Sequence, residues 1–383
     1  MGILDAPSLP PKNFAGQRLD AIDTAPSWLA LQPWQTALAN RDRVLTTILI
    51  LSDSTAEGLG ASITTTQARW IDRLRDALRV LYPTANVVTG GSSDYIPAYY
   101  DTSNAIATNG PVYSAGVTKT TSWGLGRRGL ILPSSNTTDT ITFTLINCTR
   151  FKVGAAKNSN SVMGISVDGG TVQSINLTQT NAGGFVAFDS GTLNRGTHTV
   201  VISRINGGTV TVEGIWRYDS DDTFGVRVLD GTHSGQATTH FGGSTAWAAS
   251  AGVEPPDLVI DCLGYNDYLN ATATPANTKV MRVNYRTAVR TAVTGKTPSW
   301  LYVALPEPKQ GSTTPIASWQ SYVTAQREVA IEDPLHLSSF LDLSTRVPVA
   351  LTNPFGLYQA DYVHPSLKGH AWIADQIFRY ITS

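Results

Sequence analysis

The stretch Thr46-Thr47-Ile48-Leu49-Ile50-Leu51-Ser52-Asp53-Ser54 decides how this chain is read. Its apolar part shows no alternation, and a short run of that kind is buried on both faces, as in a parallel sheet. The run stops at a small polar turn, Ser52-Asp53-Ser54. From about Thr66 the period changes to 3.6: Ile71, Leu74, Leu78 and Leu81 share one predicted helix face, and Pro83 ends it. Strand, turn and helix in that order put Ser54 at the carboxyl end of a parallel strand, where α/β folds gather their ligands.

The texture differs after about residue 92. Ile141, Phe143 and Leu145 alternate with polar residues, and Met163, Ile165 and Val167 alternate up to Asp168-Gly169-Gly170. Val200 and Ile202 precede Asn206-Gly207-Gly208, and Val210 and Val212 follow it. Period-two runs broken by Asp-Gly and Asn-Gly predict hairpins. A series of short strands between about 125 and 217 predicts a β-sandwich of jelly-roll type.

After about 222 the α/β texture returns. Strands are predicted at Gly225–Leu229, Leu258–Leu263, Trp300–Leu305 and Ser339–Leu343, with helices near 276–294, 316–331 and 371–381. This order predicts a three-layer α/β/α, flavodoxin-like domain made of residues 45–91 and 222–383, split by a β-sandwich of residues 92–221. Residues 1–44, with Pro7, Pro10, Pro11, Pro26 and Pro33, read as an irregular arm, packed on the body or used for attachment.

The chain has 383 residues and a net charge of −1, and its 42% hydrophobic fraction can fill a sizeable core. Charged residues make up only 15%, below the ~25% usual for soluble proteins. Thr, Ser, Gly and Asn take their place, a texture that suits an extracellular or virion protein better than a cytosolic enzyme. No Lys/Arg stripe is present, which argues against a nucleic-acid partner. The N-terminus lacks a basic segment followed by an apolar core, so no secretory signal is read there. No apolar run reaches ~18 residues, so no membrane span is expected. Cys148 and Cys262 read as free core thiols. No group of His, Cys, Asp and Glu has metal-ligand spacing, so neither a metal nor another cofactor is expected.

Two further polar motifs join Ser54. Gly264-Tyr265-Asn266-Asp267 follows a predicted strand, and Asp361-Tyr362-Val363-His364-Pro365 precedes the last helix. Singly they are a turn and a helix cap. Together they supply a complete nucleophilic site. A serine needs a base, the base needs a carboxylate to orient it, and the tetrahedral oxyanion needs donors in place. Asp361 and His364, three apart on one turn, can set a carboxylate against Nδ1 and leave Nε2 for Ser54. Asn266 offers a side-chain amide to the oxyanion.

On these motifs the chain resembles the SGNH (GDSL-type) hydrolase family at four points. Ser52-Asp53-Ser54 looks like the nucleophile block, Gly264–Asp267 like the asparagine block, and Asp361–Pro365 like the block holding acid and base. The stretch from Asp230 to Thr238 looks like the glycine block, with Gly235 in the donor position; Gly231, and Gly90 or Gly91 after Val87-Val88, are alternatives. The family usually has Gly before the Asp-Ser pair, where this chain has Ser52, a residue that resists a positive φ.

The resemblance implies that Ser54 is the nucleophile, His364 the base and Asp361 its orienter. The N–H groups of Ser54 and Gly235 and the Asn266 side chain would hold the oxyanion. Asp53, Tyr265 and His233 are candidate substrate contacts, and His240 also flanks Gly235. The implied reaction is hydrolysis of a carboxylic ester through an acyl-serine, with no cofactor. A β-sandwich inserted beside such a site resembles the peptidoglycan and polysaccharide O-acetylesterases. That points to an O-acetylated polysaccharide as substrate, gripped by the insert, and the composition and Pro-rich arm point to a phage tail or other virion protein. Two rivals stay open: a lipase or thioesterase for longer acyl chains, and a glycan-binding virion module with a vestigial hydrolase.

Overall fold

The computed structural model describes residues 27–60, 62–84, 93–101, 105–156, 160–178, 184–309, 311, 313–347 and 353–383. Gly90 and Gly91 lie outside them, as do residues 1–26 of the Pro-rich arm. The described part of that arm is helical rather than irregular: α1 (Ser27–Ala30) and α2 (Gln32–Ala39). Pro33 falls in the first turn of α2, where a missing N–H costs no hydrogen bond. Trp34 is fully buried and donates from Nε1 to Ile381 O at 3.0 Å, and Ser299 donates to Ala30 O at 2.9 Å. These two helices therefore pack on the body of the protein.

The quoted run forms β1 (Leu45–Ser52), followed by α3 (Ser54–Glu57) and α4 (Trp70–Leu81). In α4, Ile71, Leu74 and Leu78 are buried as their spacing predicts, whereas Leu81 at the helix end is exposed. The chain then leaves for two antiparallel sheets. One holds β10 (Phe185–Asp189), β7 (Arg150–Ala156), β12 (Val210–Tyr218), β5 (Gly129–Leu132) and β4 (Thr118–Thr120), with β2 (Tyr95–Pro97) also paired to β12. The other holds β3 (Val112–Tyr113), β6 (Thr140–Cys148), β11 (Gly196–Asn206), β8 (Val162–Val167) and β9 (Gln173–Asn176).

Ile141, Phe143, Leu145, Met163, Ile165, Val200 and Ile202 meet Leu130, Phe151, Val153, Val210 and Val212 in one apolar core. The turn at Asp168-Gly169 joins β8 to its partner β9 as predicted, with both residues at positive φ. The turn at Asn206-Gly207-Gly208 does not make a hairpin. It carries the chain from one sheet to the other, and a side chain at Gly207 would strike the backbone of Asn160.

After the insert come β13 (Gly225–Thr232), α5 (Thr238–Gly243), β14 (Leu258–Asp261), α6 (Tyr265–Leu269) and α7 (Pro275–Ala292). β15 (Ser299–Ala304), α8 (Trp319–Ile331), β16 (Ser338–Asp342) and α9 (Leu367–Ile381) complete the chain. The five-stranded sheet is parallel, in the order β13-β1-β14-β15-β16. β1 is its hub: Leu49 pairs with Leu229 on one side and Val259 on the other. Alternate residues of β1 face opposite layers. Ile48 and Ile50 pack with Trp34, Leu74 and Ile377, while Leu49 and Leu51 pack with Phe241, Tyr285 and Trp216. This is the three-layer α/β/α core, with the β-sandwich inserted after its first strand. Cys148 and Cys262 are free and buried. Among the described residues no helix is long and apolar enough to cross a membrane.

The seam between insert and core is ionic. Asp94, just before β2, faces Arg79 (3.2 Å), Arg217 (3.7 Å) and Arg75 (3.9 Å) and accepts the N–H of Val228 (2.8 Å). Arg227 joins Asp221 (2.9 Å) and Glu254 (2.6 Å). Arg69 and Arg128 both grip Asp230, at 2.6 and 2.8 Å. All of these side chains are buried. Burial opposes the charge of Asp230 and Asp221, but the guanidinium groups hold both carboxyls well below the usual range.

Candidate active site

The carboxyl ends of three neighbouring strands carry three of the four motifs at one level. Ser52 pairs with Thr232, its carbonyl accepts the N–H of His233 at 3.0 Å, and Leu51 O accepts the N–H of Cys262 at 2.9 Å. Ser54, Gly235 and Asn266 each lie a few residues beyond those points, on the same rim of the sheet.

Ser54 is the first residue of α3. Asp53 caps that helix: Oδ1 accepts the N–H of Thr55 at 2.9 Å and its hydroxyl at 2.8 Å. The helix ends at Gly58, whose φ of +91° favours glycine. Ser52 lies in β1 and is not among the residues at positive φ, so replacement of the usual glycine leaves no backbone strain there. Burial pushes the Asp53 carboxyl up to about 6 against its bonds to Thr55, and its Oδ2 has no partner among the described residues.

Asp361 and His364 arrive from the opposite side, on the loop before α9. Tyr362 adopts a φ of +57°, which folds the loop so that Asp361 Oδ1 accepts the N–H groups of Val363 (2.9 Å) and His364 (3.0 Å). Asp361 Oδ2 accepts a hydrogen bond from His364 Nδ1–H at 2.7 Å, and His364 Nε2 lies 2.9 Å from Ser54 Oγ. Burial works against the Asp361 charge, but these hydrogen bonds outweigh it and hold its carboxyl down at about 2. The carboxylate therefore stays ionised across any ordinary working pH and keeps the Nδ1–H tautomer in place. Ser366, not Asp361, caps the last helix.

Gly235 has a φ of +75° and open space where a Cβ would be. Asn266 donates from Nδ2 to Gln236 O at 2.9 Å, and its Oδ1 accepts from Asn270 at 3.2 Å. With the carbonyl end so engaged, the amide is oriented and has a second N–H to offer. Gly231 is buried within β13, and a Cβ there would lie 2.5 Å from Ile50 O. It serves the strand pairing, while Gly235 is the glycine at the rim.

Sequence reasoning missed the braces that join these loops. Glu57, buried on α3, accepts the N–H of Ser234 and, at 2.9 Å, that of Asp101 from the insert. Asp267 accepts the N–H and hydroxyl of Thr238, both at 2.9 Å, fastening the glycine loop to the asparagine loop. Gln359 donates to Leu59 O (3.1 Å) and Pro365 O (2.9 Å), tying the histidine loop to the serine loop. Of Glu57, Asp267 and Gln359, only Asp267 falls inside a motif that the sequence singles out.

Asp53, Tyr265 and His233, the candidate substrate contacts, are all buried. Asp53 caps α3, Tyr265 donates its hydroxyl to Pro306 O, and His233 Nδ1 donates to Gly126 O at 2.9 Å. Each is thus engaged by a protein partner. His240 is exposed, and its Nδ1 accepts the N–H of Ala237 at 3.0 Å. A hollow of about 460 Å³ between α7 and α8 holds none of these groups. Among the described residues no cluster of metal-ligating side chains occurs.

The parallel sheet, the split connectivity and the rim that gathers Ser54, Asn266 and His364 are those of an SGNH-type hydrolase fold with an inserted β-sandwich. The chain is similar to a peptidoglycan O-acetylesterase of known structure, with 17% sequence identity and a TM-score of 0.66 over 91% of this chain and 96% of that one. At that identity the likeness shows the fold. Family two carbohydrate esterases from Clostridium thermocellum, solved with cellohexaose, and from Cellvibrio japonicus also match. They cover 70% and 71% of this chain and 98% and 97% of their own, at 14% and 12% identity. Their TM-scores, 0.31 and 0.26, are too low to carry an argument. No protein-family model matches the sequence, and no curated protein matches it either.

Proposed function

We propose that the protein is a serine esterase that removes O-acetyl groups from a polysaccharide. The relay from Ser54 Oγ to His364 Nε2 (2.9 Å) and from His364 Nδ1 to Asp361 (2.7 Å) is the observation that supports this most. His364 takes the hydroxyl proton as Ser54 attacks the ester carbonyl, and Asp361 stabilises the imidazolium. The N–H groups of Ser54 and Gly235 and the free N–H of Asn266 receive the oxyanion. His364 returns the proton to the departing sugar hydroxyl, then activates the water that releases acetate from the acyl-serine. The sandwich of residues 92–221, tied to the serine helix where Glu57 accepts the N–H of Asp101, acts as the module that grips the glycan. The Thr-, Ser- and Gly-rich composition favours an extracellular or virion setting.

Ser54→Ala and His364→Ala should each abolish p-nitrophenyl acetate hydrolysis with an unchanged unfolding curve. Asn266→Ala should lower kcat by roughly 10²–10³ through loss of one oxyanion donor. Wild-type rates in either alanine variant of the relay would overturn the reading. Faster hydrolysis of octanoate than of acetate esters would replace it with a lipase or thioesterase.

A further inference from the structure

The insert brings a guanidinium beside the site. Arg127 follows Gly126 in a tight loop between β4 and β5, and both residues have positive φ, +62° and +71°. A side chain at Gly126 would strike Thr232 O, so the loop is pressed against the end of the strand that leads to Gly235. For Arg127 this backbone conformation is one that favours glycine, and such conformations gather at functional sites.

The guanidinium is aimed by two contacts. Nε donates to Thr121 O at 2.9 Å, and Nη1 lies 3.4 Å from Oε1 of Gln236, the residue after Gly235. Gln236 O in turn accepts from Asn266. Arg127 thus adjoins both loops that supply the oxyanion donors. It is 8% exposed, and among the described residues no carboxylate pairs with it and Nη2 has no hydrogen-bond partner. The contrast with Arg128 next to it is direct, because Arg128 is bound by Asp230. Burial lowers the pKa of Arg127, with only the Tyr99 phenol acting the other way. Its charge is felt at two imidazoles that burial already lowers: at His240, and at His233, where Arg128 contributes more.

Two more cations stand around the rim without a carboxylate partner among the described residues. Lys119 lies over the ring of Tyr99 at 4.5 Å. Lys309, whose N–H donates to Tyr362 O at 3.1 Å, lies over the ring of Tyr362 at 5.4 Å, on the histidine side.

We propose that the site selects an acidic glycan, and that Arg127 binds a carboxylate on the sugar that carries the ester or on its neighbour. This rests on the esterase reading above. A guanidinium held in a fixed fork matches a carboxylate in two places at once.

The test compares acetate release from O-acetylated polygalacturonate with release from O-acetylated xylan of matched acetyl content. An O-acetylated phosphodiester polymer forms a third arm. The wild type should favour the polygalacturonate by about tenfold or more in kcat/KM, the scale of one charge-assisted pair. The preference should shrink in about 0.5 M NaCl. Arg127→Gln should bring the ratio close to one, and Arg127→Lys should restore part of it. If Arg127→Gln does not fold, the wild-type ratio and its salt dependence decide alone. Equal wild-type efficiency on the acidic and neutral polymers, or an unchanged ratio in a folded Arg127→Gln protein, overturns the proposal. A preference for the phosphodiester polymer overturns the carboxylate assignment. Release of acetate from none of the three overturns the esterase reading itself.

Discussion

Inside the sandwich, Phe143 belongs to an apolar cluster with Ile141, Val153 and Val200, whereas at its root Asp94 sits among Arg75, Arg79 and Arg217. The two regions are equally buried and are held by opposite means. An apolar core tolerates changes that preserve volume, because its contacts are many and non-directional. A buried ionic seam tolerates little, because each charge is balanced by particular partners. The seam fixes how the insert stands on the sheet, and so where Asp101 and Arg127 meet the loops that carry Ser54 and Gly235.

Three substitutions sharpen this contrast. Asp94→Ala should cost the most, about 5 kcal/mol in urea unfolding, because it leaves several guanidinium groups buried beside a vacancy. A cost below about 1 kcal/mol would mean that water or a rearranged carboxylate replaces it. Phe143→Ala should cost about 3–4 kcal/mol by cavity formation. It should leave p-nitrophenyl acetate hydrolysis intact under folding conditions, since the lesion is remote from the rim.

The third works through pH. Asp221 and Asp230 have depressed pKa values in the folded protein, so their stabilisation is present above about pH 4 and is lost as pH falls below it. Asp53 has the opposite sign: raised to about 6, it binds its proton more tightly folded than unfolded. Its contribution to stability declines as pH rises from about 4 to 6, by on the order of 3 kcal/mol. Asp53→Asn keeps the cap and should flatten that decline, read as melting temperature against pH. An unchanged slope would assign the decline to other buried carboxyls.

The sequence makes the apolar regions legible and leaves the ionic ones opaque. Ile48–Leu51 announces a strand buried on both faces because every residue is apolar. Ile141, Phe143 and Leu145 announce the sandwich because their period is two. Ser54, Asn266, Asp361 and His364 can be found because each lies in a short motif at the end of an element. The seam has no such pattern. Its members lie far apart, on α4, β12 and β13, and a lone Arg or Asp in a strand reads as a solvated position. Helices α1 and α2 are hidden by prolines that in fact sit outside or at the start of them. The crossing at Gly207 is hidden because Asn-Gly serves a hairpin and a sheet-to-sheet passage equally well. That Asp53, Tyr265 and His233 are buried and bonded to protein partners is likewise drawn only by side-chain packing.

The placement of the insert bears on how the chain is made. The register of β1 joins Leu45 to Gly225 and Leu49 to Val259, so the first strand of the parallel sheet emerges from the ribosome long before either neighbour exists. The sandwich, contiguous in sequence, can close during that interval. Until β13 and β14 follow, the hydrophobic segment at 46–51 is a naked edge on both sides. Synthesis stalled within the insert would therefore release a sticky fragment, and translation rate across that stretch becomes part of the folding problem.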